Sequence, residues 1–199
     1  MSDSAQAQAV ERARQSEVLH EILRFGNSLQ ALKQVPRTGW LLRGIGPGLA
    51  ESVAAHSWGM STIALLLASL LPNQVDLGRL LSICLLHDLA ESILGDIPSP
   101  AARYFPANAK HDAERGVFED LVGDLPQGVD WLDRWEEFMQ ADSLEGRIAR
   151  DADRLDMLFQ AAAYERAGSA NLGEFWQGCN EGWCFDESAA LVRLLVEQR

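Results

Sequence analysis

Basic residues are scarce in this chain. Lys and Arg total 17 against 29 Asp and Glu, a net charge of −12. That balance repels nucleic-acid phosphates, and no basic run offsets it. A small anionic ligand fits only where a few cations are focused in one cleft. Cysteine is sparse too. Cys84, Cys179 and Cys184 are too few and too scattered for a disulfide framework, and they suit a reducing compartment. The last two also lack the histidine partners of a zinc site. Long hydrophobic runs are missing: the strongest, Ile63 to Leu71, falls short of the roughly 20 residues that span a bilayer. The opening MSDSAQAQAVERAR has no apolar signal-peptide core. The expectation is a soluble cytoplasmic protein with no nucleic-acid or membrane partner.

Alternating strand patterns, internal repeats and low-complexity tracts are absent as well. Helical periodicity recurs instead. From Glu17 to Lys33, the residues Leu19, Ile22, Leu23, Leu29 and Leu32 share one helical face. Pro36 and Gly39 then punctuate, and RTGWLLRGIGPGL reads as a loop. Further helices are predicted over Glu51–Leu71, Leu77–Leu94 with Gly95 as a C-terminal cap, Asp112–Val122, Val129–Ala141 and Leu144–Ala167. The last of these is apolar on most faces and should be buried. Asn171 with Glu174 resembles a capping box, and Asp186 can cap the final helix. The fold class is therefore all-α, one domain of seven or eight helices over residues 15–199, with residues 1–14 expected to be flexible.

One feature of this pattern is costly. A His-Asp pair, His87–Asp88, directly follows the apolar run LLSICLL, and a buried carboxylate needs compensation by a cation. On one continuous helix His87 and Glu91 differ by only about 40°, and Asp88 and Glu91 are also neighbours. These three would line one edge of a pocket. His56 lies at the spacing of Met60, Ile63 and Leu67, on the buried side of the preceding helix. Imidazole and carboxylate together are good ligands for a divalent transition metal. In RDADRLDM, Asp151, Asp153 and Asp156 cannot all face solvent, and Arg150 and Arg154 can neutralise two of them. Periodicity does not choose among the three. Cys84, three residues before His87, is either a thiolate ligand or a small core residue, and Lys110 reads as a solvated surface lysine.

The stretches LKQVPRTGW, ESVAAHSW, LLHDLAESILGDIPSP and RDADRLDMLFQAAAYE, in this order from Leu32 to Glu165, resemble the HD-domain superfamily of metal-dependent phosphohydrolases, and within it the 5'-deoxynucleotidase branch. The resemblance implies an all-helical HD domain, usually a homodimer. It implies one divalent metal ion held by His56, His87, Asp88 and Asp153, with Mn, Co, Fe, Ni or Zn suiting the mixed nitrogen and oxygen set better than Mg alone. It places the catalytic carboxyls at Glu91 and Asp96, and the substrate contacts at Arg37 and Trp40. Ala55 departs from the pattern, since an acidic residue commonly precedes the first histidine. The implied activity is hydrolysis of nucleoside 5'-monophosphates, preferring deoxyribonucleotides, to nucleoside and phosphate. The alternatives are hydrolysis of another nucleotide phosphate, or a non-catalytic nucleotide-binding module.

Overall fold

The computed structural model describes residues 3–72 and 74–199. Its helices are α1 (Asp3–Leu32), α2 (Thr38–Leu41), α3 (Val53–Leu70), α4 (Leu77–Leu86), α5 (Glu91–Leu94), α6 (Ser99–Ala102), α7 (Ala109–Val122), α8 (Gly128–Gln140), α9 (Leu144–Arg166) and α10 (Asp186–Glu197), with a 3-10 turn at Gly173–Trp176. Of these, α2, α5 and α6 are single turns of four residues. The fold is all-α. Among the described residues the one strand-like pairing is an isolated antiparallel bridge between Pro36 and Ser52. It ties the loop before α2 to the start of α3. The first helix begins at Asp3.

The helices begin where side chains cap them. Ser52 Oγ accepts from Ala55 N at 3.2 Å, Asp76 Oδ1 from Arg79 N at 3.0 Å, and Ser143 Oγ from Gly146 N at 2.9 Å. These bonds satisfy amide donors that have no partner inside the helix. They open α3, α4 and α9, which pack on one another to form the centre of the molecule. α3 is long and apolar enough by composition to cross a membrane. Here it is the core helix lying against α9.

Burial divides into two apolar clusters. One gathers Met60, Leu67, Leu80, Ile83, Ile148 and Leu155; the other gathers Leu32, Val53, Leu86, Leu89, Phe118 and Trp135. Along α3 the membership changes between Val53 and Met60, and at the end of α4 between Cys84 and Leu86. His56 falls within the first changeover, and His87 lies directly after the second. The expected apolar face of α1 is only partly used: Leu32 is buried, while Leu19, Ile22 and Leu23 remain more than half exposed.

Three local expectations are corrected. The predicted single helix over Leu77–Leu94 is broken, because α4 stops at Leu86 and His87 is its C-cap. Trp135 Nε1 donates to the His87 carbonyl at 3.1 Å, and Glu91 N turns to Asp88 O at 3.0 Å instead of continuing the ladder. Tight i→i−3 turns therefore carry the chain from Leu86 to Ser92, and the estimate of 100° per residue does not apply there. The capping box at Asn171 is not formed: Leu172 precedes the 3-10 turn without a side-chain cap, and Glu174 bonds to Arg43. Asp186 is the first residue of α10 rather than its cap. The amides just before α10 are taken by the buried Asp151, which accepts from Cys184 N at 3.0 Å and Phe185 N at 3.1 Å.

Asp151 thus anchors the C-terminal helix to α9. Asp151→Ala leaves two amide donors without their acceptor and is expected to cost about 1–3 kcal/mol, read by urea unfolding. A loss below about 0.5 kcal/mol would show that these bonds contribute nothing net.

Candidate metal centre and adjoining cleft

Ser52 starts α3 so that His56, in its first turn, points inward; the ring is fully buried. His87 is buried at the end of α4, and the two imidazole centroids lie 5.5 Å apart, edge to face. Each ring is held from its outer nitrogen. His56 Nδ1 lies 2.7 Å from Asp156 Oδ2, and His87 Nδ1 lies 2.8 Å from the Cys84 carbonyl. A carbonyl can only accept, so a neutral His87 ring carries its proton on Nδ1 and leaves the lone pair on Nε2. Asp156 selects the same tautomer of a neutral His56.

The inner nitrogens face carboxylates without bonding to them. His56 Nε2 is 3.0 Å from Asp153 Oδ1, and His87 Nε2 is 2.9 Å from Asp88 Oδ2. Both nitrogens are nonetheless buried with no properly directed hydrogen bond. An unsatisfied buried polar atom costs on the order of 1–3 kcal/mol, so two side by side call for a missing partner. Donor atoms of His56, His87 and Asp88 lie within 4.8 Å of one another. Those three residues suit a divalent first-row cation in donor type, and Asp153 of α9 approaches the group through His56 Nε2.

The three aspartates of α9 separate cleanly. Asp151 anchors the segment before α10, Asp153 faces His56 Nε2, and Asp156 faces His56 Nδ1. The arginines expected to neutralise them do otherwise. Arg154 donates to Gly182 O at 2.6 Å and Glu181 O at 2.8 Å, and Arg150 lies over the Phe138 ring at 5.3 Å.

Electrostatics at the centre are dominated by crowded negative charge. Burial opposes charge on His56, but Asp153 and Asp156 outweigh it and push the imidazole up to about 10. Burial also works against Asp88, yet His87 and Arg37 hold its carboxyl below the ordinary range. Arg37 Nη1 donates to Asp88 Oδ2 at 3.2 Å. Glu91 is buried with Oε2 unpartnered. Burial, then Asp88 and Asp96, push it up to about 9 against the opposing charges of Arg37 and Lys110. Lys110 is therefore no remote surface lysine: it is one-third exposed, bonds to Glu114, and its charge is felt at Glu91. The buried Cys84 thiol is pushed up to about 12 by burial and by Asp153, which suits a core residue and not a thiolate ligand.

A cleft of about 430 Å³ opens beside Arg37 and Asp96, walled further by Trp40, Arg43, Arg154 and Phe175. Thr38 N donates to the Asp96 carboxylate and Thr38 Oγ1 to its carbonyl at 2.8 Å, so α2 and the loop after α5 form one rim. Three guanidinium groups meet here on a chain of net charge −12, the focused cation cluster that an anionic ligand requires. Trp40, expected as an open contact for sugar or base, is only 1% exposed. Its ring packs against Phe175 (4.4 Å) and Tyr164 (5.2 Å), and its Nε1 donates to Glu51 at 3.1 Å. It supports the wall and offers little ring face. The half-buried Phe175 stands in front of it with Arg43 5.8 Å from the ring centroid. Neither Arg43 nor Phe175 carried a sequence signal, because the pairing joins residues far apart in the chain.

A family model described as "HD domain" matches residues 29–180. The chain is similar to 5'-deoxynucleotidase HDDC2 of Danio rerio, 33% identical over 91% of this chain and 89% of that protein. A solved Pyrococcus furiosus protein superposes with a TM-score of 0.73 at 35% identity, covering 90% of this chain and 97% of that one. A Magnetospirillum magnetotacticum protein, described as a predicted metal-dependent phosphohydrolase, superposes with a TM-score of 0.68 at 25% identity over 92% of each chain.

The raised carboxyl and imidazole make stability depend on pH. Glu91 holds its proton in the folded state up to about 9, against an ordinary value of 4.5, so its contribution falls as pH rises through that window. His56, raised from 6.5 to about 10, acts with the same sign. Metal-free protein should lose thermal stability from about pH 6 to 9. Glu91→Gln should make that decline shallower; parallel declines would contradict the assignment.

Proposed function

This chain belongs to the HD-domain family, and from that premise we propose that it hydrolyses nucleoside 5'-monophosphates, preferring deoxyribonucleotides, to nucleoside and phosphate in a metal-dependent reaction. The observation that carries the reading is the pair of buried, unpartnered Nε2 atoms of His56 and His87 facing Asp153 and Asp88, next to a cleft with Arg37 on its rim. Phosphate monoesters are among the slowest substrates in water, with enzymes supplying up to ~10²¹-fold, so a strong electrostatic site is required.

His56, His87, Asp88 and Asp153 would hold the divalent ion. When bound, such an ion supplies a nucleophilic water at neutral pH and polarises a phosphoryl oxygen. Arg37 presents a planar, permanently charged fork to the phosphate. Its bond to Asp88 and the anchoring of its amide on the Glu51 carbonyl at 2.8 Å fix that fork at the cleft mouth. Glu91 handles a proton of the attacking water, or orients that water, through the Oε2 atom that the fold leaves free, and its role and that of Asp96 are exchangeable. Asp96, which lines the cleft, protonates the departing 5'-oxygen. Deoxyribose preference requires that the 2'-position pack against apolar wall residues such as Ile97, Met157 and Leu158. A pocket of that kind rejects an added hydroxyl by only ~10².

The reading also takes the protein as a cytoplasmic homodimer. Support comes from apolar side chains that the single chain leaves uncovered: Leu19, Ile22 and Leu23 on α1, and Trp58, Leu66 and Leu70 on α3. All six are more than half exposed, although α3 buries His56, Met60, Ala64 and Leu67 on its inner side.

The test is phosphate release from ribo- and deoxyribonucleoside monophosphates by metal-stripped protein, with Mn, Co, Fe, Ni or Zn added back. Release is expected only with metal, with kcat/KM favouring deoxyribonucleotides by ~10². Asp153→Ala is expected to abolish it. Comparable rates on AMP and dAMP would remove the deoxyribose preference, and silence across the panel would favour a nucleotide-binding module.

A further inference from the structure

His56 is gripped on both edges by one helix. Asp153 and Asp156 stand three residues apart on α9, the spacing that puts two side chains on one face. Their carboxylates reach opposite ring nitrogens, Asp153 at Nε2 (3.0 Å) and Asp156 at Nδ1 (2.7 Å). Asp156 is therefore on the side of the ring away from the proposed cation. Its carboxylate gets there through a gap in α3. A Cβ built on Gly59 would lie 2.2 Å from Asp156 Oδ1 and 2.9 Å from its Cγ. Gly59 sits in the middle of a helix, where glycine weakens the backbone and needs a compensating reason. The same residue is three positions after His56 and so opens the face of α3 from which His56 projects. Glu51 closes the arrangement: its donor atoms fall within 4.8 Å of those of His56 and Asp156, while its Oε2 is fixed by Trp40 Nε1 at 3.1 Å.

We propose that Asp156, admitted by Gly59, is a positioning residue that accepts the Nδ1 proton of His56 and so turns the Nε2 lone pair toward the metal centre. The inference rests on the reading of His56 as a ligand, and adds how this chain orients it. A carboxylate behind a ligating histidine fixes its tautomer and ring rotation and raises its basicity; losing such a partner lowers metal affinity by ~10–100-fold. For His87 the Cys84 carbonyl does the equivalent work at 2.8 Å. The two rings are thus held by unlike groups, one charged and one a backbone dipole. Only the first can be removed by changing a side chain.

Two variants and one spectroscopic reading test this. In zinc-loaded parent protein labelled with ¹⁵N-histidine, His56 should carry its proton on Nδ1, with a downfield, slowly exchanging resonance. Asp156→Asn weakens the acceptor. Gly59→Ala keeps the Asp156 charge but pushes the carboxylate away. Both should lower zinc affinity by ~10–100-fold, measured by competition with a chelating dye, and shift or broaden the Nδ1 proton signal, with the helical circular dichroism unchanged. Agreement between the two variants separates position from charge. Zinc affinities within about twofold of the parent in both variants would overturn the proposal. So would a His56 proton on Nε2 in the parent, a reading that needs no variant to fold. Zinc binding with the predicted losses, but no phosphate release from any nucleotide, would sink the hydrolytic reading and leave this one standing.

Discussion

Two buried imidazole nitrogens that point at carboxylates and bond to neither are the constraint around which this structure is arranged. The outer nitrogens of His56 and His87 are occupied, by Asp156 and by the Cys84 carbonyl, so the rings cannot turn to relieve the inner ones. Three separate segments must meet to create this situation. The chain accommodates it by capping α3 at Ser52, by ending α4 at Leu86, and by keeping α9 unbroken through Asp151, Asp153 and Asp156. The two apolar clusters meet at the same place, so the polar centre occupies the seam of the core and does not interrupt either half.

The surrounding charges lean the same way. Asp88, Asp153, Glu91 and Asp96 all act on Arg37, which is the one guanidinium bonded into the centre. With few cations against so many carboxyls, Glu91 is pushed up to about 9 and His56 up to about 10. A divalent ion would relieve both, because it takes the place of the positive charge that the imidazole otherwise supplies. Arg37 also faces the cleft, where Arg43 and Arg154 add further positive charge. The anionic centre and the cationic cleft mouth therefore adjoin, as metal-assisted attack on a phosphate requires.

Much of this was legible in the sequence, and for identifiable reasons. Long amphipathic stretches fix helix existence, and α9 begins at the predicted residue because Ser143 caps it. The His-Asp step stood out because it follows an apolar run. The break after Leu86 was not legible: it depends on Trp135, far away in sequence, taking the His87 carbonyl. The sorting of the three aspartates was equally hidden, since α9 is buried on most faces and only its neighbours assign each carboxylate a partner. Trp40, a residue type that suits ligand stacking, does line the cleft, but its enclosure by Tyr164 and Phe175 could not be read from sequence. Arg37, Trp40 and Asp96 of the cleft wall were named from the sequence, whereas its Arg43 side was invisible because Arg43 and Glu174 meet only in three dimensions.

The most direct test of the central claim is an anomalous-scattering map of crystals of the protein loaded with zinc. The account predicts a single peak at ~2.0–2.2 Å from His56 Nε2, His87 Nε2 and one oxygen each of Asp88 and Asp153, with Asp156 behind His56 and outside the coordination sphere. A peak elsewhere, or one bound by Asp156 in place of Asp153, would contradict it.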